Sequence, residues 1–114
     1  MNIQIFGKKK CFDTAKALRY FKERGIRVQE VDVQKFGLSK GELNSVVASI
    51  GIEKIMDKDS FAYKTLNIEK LRSPAIKMEI LLQNPKLYRT PILRFGKQAS
   101  VGYEPELWAI WKLD

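Results

Sequence analysis

No histidine occurs anywhere in this sequence, and cysteine occurs once, at Cys11. Without an imidazole neither a Ser-His-Asp triad nor a Cys-His pair can be built, so the hydrolases that depend on them are excluded. One thiol and no imidazole also leave too few soft ligands for zinc, and no metal is expected. A lone cysteine cannot close an internal disulfide, which excludes a disulfide-stapled secreted scaffold; any disulfide at Cys11 is made to another molecule. Long apolar runs are missing too. The opening Met1-Asn2-Ile3-Gln4-Ile5-Phe6 meets Lys8-Lys9-Lys10 before a signal-peptide core is complete, and no later stretch is long enough to span a bilayer. The expectation is a cytoplasmic protein with no membrane partner.

What remains is the composition of an ordinary folded domain. Hydrophobic residues make up 45% of the chain and charged residues 30%, with six Phe, four Tyr and two Trp, a balance that supports a packed core. A chain of 114 residues buries about two thirds of its unfolded surface in one core. No linker or repeat interrupts it, and one domain is expected over 1–114.

The net charge of +8 is uneven, with ten Lys/Arg against four Asp/Glu in residues 1–40 and four against five in residues 41–70. A basic field of this kind favours anionic partners. The cations show no aromatic interleaving and no reader motif, which argues against direct nucleic-acid binding.

Hydrophobic patterning sets the element order. Ile3 and Ile5 alternate with polar neighbours up to Gly7 and read as a strand. Cys11 to Arg24 carries Ala17, Leu18 and Phe21 at helical spacing, with Asp13 in the first turn and Gly25 as the stop. Arg27 to Val33 is a second strand, and strand, helix and strand in succession make a parallel unit. Ser39-Lys40-Gly41-Glu42 has capping-box form and opens a helix with Leu43, Val46, Val47 and Ile50 on one stripe. A less regular helical insertion follows, up to a helix from Ser73 to Leu82 with Ile76, Ile80 and Leu81 as its apolar face. Pro91 to Phe95 and Gln98 to Val101 flank Gly96-Lys97 as a hairpin, and Glu104-Pro105-Glu106 starts a last helix that buries Trp108 and Trp111.

Cys11 falls just after a strand and in the first turn of a helix, where unpaired N–H groups and the helix dipole favour a thiolate. Lys8 to Lys10 add positive field, and Thr14 is one turn on, within reach of the sulfur. Two readings of the residue stand side by side: a reactive, partly accessible thiol of lowered pKa, or a small buried hydrophobe beside a solvated lysine run.

Cys11-Phe12-Asp13-Thr14-Ala15-Lys16-Ala17-Leu18 resembles the Cys-x-x-Cys-Arg-Lys-Ala-Leu or Cys-x-x-Ser/Thr segment of the arsenate reductase (ArsC) family, which includes the Spx regulators and the YffB-like proteins. Arg24-Gly25-Ile26, Val31-Asp32-Val33, Leu82-Gln83-Asn84-Pro85, Thr90-Pro91 and Val101-Gly102-Tyr103 extend the resemblance in order along nearly the whole chain. It implies an α/β, thioredoxin-like (glutaredoxin-like) fold with a helical insertion between the βαβ unit and the C-terminal hairpin and helix. It also implies a nucleophilic thiol at Cys11, a cis-proline at Pro91 facing it, and Thr14 in the place of the second cysteine of dithiol members.

The chain departs from the family where arsenate-reducing members hold the oxyanion with arginines. Thr90 directly precedes Pro91, Arg89 stands one place earlier, Gly102-Tyr103-Glu104 has no arginine, and Lys58 stands in for the arginine of the insertion. The resulting expectation is a monothiol reductase or thiol transferase with Cys11 and Thr14 as catalytic residues. Lys8, Lys10, Lys58, Arg89, Thr90 and Pro91 line the substrate, no cofactor is bound, and glutathione is the co-substrate. The partner is then a small thiol or oxyanion, or a redox partner protein. The alternative is a Spx-like regulator that docks on RNA polymerase, although Spx-type disulfide switches have two cysteines. A third reading is an arsenate reductase with altered anion ligands.

Overall fold

The computed structural model describes residues 3–111. Four strands form one sheet: β1 (Ile3–Gly7), β2 (Val28–Asp32), β3 (Ile92–Phe95) and β4 (Gln98–Val101), in the order β2-β1-β3-β4. β1 and β2 run parallel with Ile3 opposite Val28 and Gly7 opposite Asp32, because helix α1 (Phe12–Glu23) carries the chain back across the sheet. β3 pairs antiparallel with β1 and with β4. The Gly96-Lys97 connection is the tight hairpin its sequence specifies, with Gly96 at φ 59°.

Alternation along the strands divides the core. Ile3, Ile5, Leu93 and Phe95 pack on one side against Ala17, Tyr20 and Phe21 of α1 and against Trp108 and Trp111. Trp108 belongs to helix α6 (Pro105–Ile110). Its ring centroid lies 5.2 Å from those of Tyr20 and Phe21, and its indole N–H donates to the buried Ser100 hydroxyl at 2.8 Å. Both tryptophans are core residues, as their sequence context predicts. Phe6 and Ile92 face the other side, under the insertion.

The insertion begins with a single turn, α2 (Val33–Phe36), capped by the Asp32 carboxylate, so the expected second strand ends one residue early at Asp32. Helix α3 (Lys40–Ile50) has the capping box in full: Glu42 N–H donates to Ser39 Oγ at 3.2 Å and Ser39 N–H to Glu42 Oε1 at 2.8 Å. A short helix α4 (Phe61–Thr65) and 3₁₀ turns at Glu53–Ile55 and Ile68–Lys70 make up the irregular stretch. Helix α5 (Pro74–Gln83) corrects one expectation: Ile76 is 52% exposed, and α5 reaches the core through Leu81 with Met78, Ile80 and Leu82 beside it. Pro74, Ala75 and Ile76 in the first turn are all exposed, so helical spacing alone gives Ile76 a face it does not use. No described helix is long and apolar enough to cross a membrane.

Candidate functional site

The site gathers where β1 ends. β1 stops at Gly7 because the chain turns through Lys8 to Lys10, and Lys10 takes the left-handed conformation at φ 62°. That region is sparsely occupied by side-chain-bearing residues and costs about 1 kcal/mol or more. The turn delivers Cys11 as the N-cap of α1 in extended conformation, with its carbonyl accepting the Ala15 N–H at 3.1 Å. Cys11 is partly exposed.

The chain closes on the sulfur from the other side at Thr90. The Thr90 hydroxyl donates to Cys11 Sγ at 3.1 Å, and the thiol in turn points at the Thr90 carbonyl at 3.7 Å. The Thr90-Pro91 bond is cis, as the family resemblance implies. The Gly102 N–H, held at φ 83° where a side chain is disfavoured, donates to the Pro91 carbonyl at 2.9 Å and ties this segment to the end of β4.

Burial pushes the Cys11 thiol up, but the hydroxyls of Thr14 and Thr90 and the amides of Thr14 and Asp13 outweigh it, and the net effect holds the thiol below its ordinary value. Their roles differ. Only the Thr90 hydroxyl keeps hydrogen-bond geometry on the neutral sulfur; Thr14 Oγ1, in a residue 5% exposed, has no hydrogen-bond partner. The Thr14 hydroxyl and the two amides surround the sulfur and bear on its ionised form, which accepts what the neutral thiol does not.

Cys11 opens into a groove of about 280 Å³ between the lysine turn, the first two turns of α1 and the edge of β2. Lys8, Lys9 and Lys10 form one rim, Glu30 and Asp32 the other, and Ala15 and Leu18 lie between them. The structure thus places Cys11, Thr14, Lys8 and Lys10 around one groove and Thr90 on the sulfur. Lys58 and Arg89 line a different groove, of about 460 Å³, with Lys54 and Asp57. There one Arg89 guanidinium nitrogen donates to the Lys54 carbonyl at 3.3 Å. Three features escaped the sequence reading. The Thr90 hydroxyl was counted only as part of the substrate-lining segment, the acidic rim looked like plain strand surface, and Gly7 looked like a strand end. Adding a Cβ at Gly7 would drive it into the Thr14 side chain.

A thiol at a helix N-cap after β1, opposite a cis-proline segment and on a β2-β1-β3-β4 sheet with a helical insertion, is the arrangement the sequence motifs imply. The ArsC family profile matches residues 6–110. This chain belongs to the ArsC family. Among its relatives, global transcriptional regulator Spx 2 of Oceanobacillus iheyensis is 30% identical, with 100% of this chain and 96% of the relative covered. Regulatory protein MgsR of Bacillus subtilis is 29% identical over 83% of this chain and 78% of its own. In three dimensions the arsenate reductase of Vibrio cholerae superimposes with a TM-score of 0.83 at 24% identity, covering 94% of each chain. That likeness establishes the thioredoxin-like fold.

Proposed function

We propose that this ArsC-family chain is a monothiol redox protein in which Cys11 exchanges disulfides with a low-molecular-weight thiol such as glutathione. The observation that carries the reading is the partly exposed Cys11 sulfur under the Thr90 hydroxyl, at the mouth of a lysine-rimmed groove. The Cys11 thiolate attacks one sulfur of a substrate disulfide; a Cys11–substrate disulfide forms, the old S–S bond breaks, and the second half leaves as a thiolate. A small thiolate then attacks the substrate sulfur of the mixed disulfide, which frees Cys11 as thiolate and leaves a new disulfide outside the protein. Across the cycle one disulfide bond is exchanged for another, and Cys11 returns unchanged. Thr14 in place of a second cysteine fits this scheme, because no internal thiol competes with the external one.

The test supplies purified protein with a small mixed disulfide and glutathione and follows oxidised glutathione. Turnover is expected to fall to the uncatalysed rate in Cys11→Ser; equal turnover in that variant would refute the reading. Arsenate offered with glutathione and glutaredoxin is expected to give little or no arsenite, since Thr90 rather than an arginine precedes Pro91 and Gly102-Tyr103-Glu104 has no arginine. Saturable arsenite formation that requires Cys11 would instead favour the reductase reading.

A second reading rests on the 30% identity to a transcriptional regulator over the whole chain. In that reading the basic surface docks on RNA polymerase and Cys11 is dispensable. Co-sedimentation with purified RNA polymerase that persists in Cys11→Ser, in a protein without exchange activity, would decide for it.

A further inference from the structure

We infer that Gly7 is a positioning residue for the thiol site: its missing side chain is the space that holds Thr14 with its free hydroxyl beside Cys11. The inference rests on the thiol reading above and adds a determinant that lies in the sheet, outside the Cys-x-x-Thr segment.

Gly7 has no backbone reason to be glycine. It is the last residue of β1, paired with Asp32, and it is absent from the glycines with positive φ. Its backbone conformation is open to any residue. The atoms nearest to a side chain here all belong to Thr14: a Cβ at position 7 would overlap Thr14 Cγ2 and stand 3.0 Å from Oγ1 and 3.2 Å from Cβ. Thr14 cannot yield cheaply. It sits in the first turn of α1, is 5% exposed, and as a β-branched residue has few χ1 states inside a helix.

The Thr14 hydroxyl is buried and unpartnered, in a residue that borders the groove Cys11 opens into. A buried hydroxyl without a partner costs about 1–3 kcal/mol, a cost that an acceptor appearing beside it would offset. The nearby acceptor that can appear is the ionised sulfur. Gly7 therefore allows α1 to approach β1 closely enough to set that hydroxyl beside Cys11. A side chain at position 7 turns the hydroxyl away or lifts the first turn of α1, and either movement withdraws a donor from the thiolate.

The two atoms of Thr14 can be separated chemically. Gly7→Ala should raise the midpoint of the Cys11 thiolate, read by its ultraviolet absorbance and by the pH dependence of iodoacetamide alkylation, by about one pH unit. Thr14→Ser removes the methyl that the new Cβ overlaps and keeps the hydroxyl, leaving the contacts of 3.0 Å to the oxygen and 3.2 Å to the β-carbon, which a shift of a few tenths of an ångström relieves. The Gly7→Ala/Thr14→Ser double variant should regain a midpoint near that of the unaltered protein, and Thr14→Ser alone should leave it there. Should Gly7→Ala fail to fold, Thr14→Val in the Gly7 background still has to raise the midpoint, and the folded double variant still has to keep it low. A Gly7→Ala midpoint equal to that of the unaltered protein, a Thr14→Val midpoint unmoved, or a double variant as high as Gly7→Ala would overturn the inference. The thiol reading fails separately: there the unaltered protein itself titrates at the free-cysteine value.

Discussion

Cys11 and Tyr88 show opposite outcomes of burying a titratable side chain. Burial pushes both up, but Cys11 is ringed by donors that reverse the effect, whereas Tyr88 is 2% exposed, its hydroxyl has no partner, and the Glu42 carboxylate adds to the rise. Removing an unpaired buried hydroxyl removes a desolvation cost with no bond to lose. Tyr88→Phe is accordingly expected to raise stability by up to about 1 kcal/mol, measured by urea unfolding; a loss of that size would show that the hydroxyl has a partner in solution. For Cys11 the linkage has a definite sign. A thiol held down in the folded state adds stability above its ordinary value of 9.0, and this gain fades as pH falls through the folded value. Cys11→Ser should lose the rise in stability between those two limits and little below them. At this scale the sequence located the Cys11 thiol at the start of α1 with Thr14 one turn on, since strand, basic turn and helix start fix where a residue sits. The donor from Thr90 stayed hidden, because a contact across 79 residues depends on how two loops meet.

Among the elements, those with a local signal were the legible ones. Ser39 and Glu42 announced α3, Ser73 and Pro74 announced α5, and Gly96-Lys97 announced the hairpin, and each is present with its cap or turn. The short α2 turn and the pieces between α3 and α5 were not legible in detail, because segments of three to five residues owe their form to packing more than to propensity. The α3 cap yields a prediction of its own. Burial raises the Glu42 carboxyl, but the Ser39 amide and hydroxyl, the Gln4 side chain and the Arg94 charge prevail and hold it below its ordinary value of 4.5. Stability tied to Glu42 is therefore complete above that value and lost as pH falls through the folded one. Glu42→Ala should cost about 1 kcal/mol at neutral pH and flatten the acid side of the stability profile. An unchanged acid limb would mean that the carboxylate has no net favourable partner in the fold.

For the molecule as a whole, the two-sided sheet was readable because a parallel strand-helix-strand unit followed by a hairpin needs cover on both faces. The division of polar contacts was not. Lys58 and Arg89, expected to line the substrate, border a groove with Lys54 and Asp57, and Arg89 also lies near Gly102, whose N–H donates to the Pro91 carbonyl. One modest contact, the Ser49 hydroxyl that accepts the Ala99 N–H at 3.1 Å, bears on the rim of the sheet. β4 is an outer strand, and an outer strand with free amides is a template on which another chain can polymerise. Here α3 lends a side chain to occupy that amide. At the opposite rim, the Glu30 and Asp32 carboxylates would meet like charges if a second copy aligned its own β2 there. Ser49→Ala should therefore leave the thiol titration untouched while making concentrated solutions more prone to thioflavin-positive, strand-joined aggregates, and a variant as clear as its parent on prolonged incubation would assign that protection to the acidic rim alone.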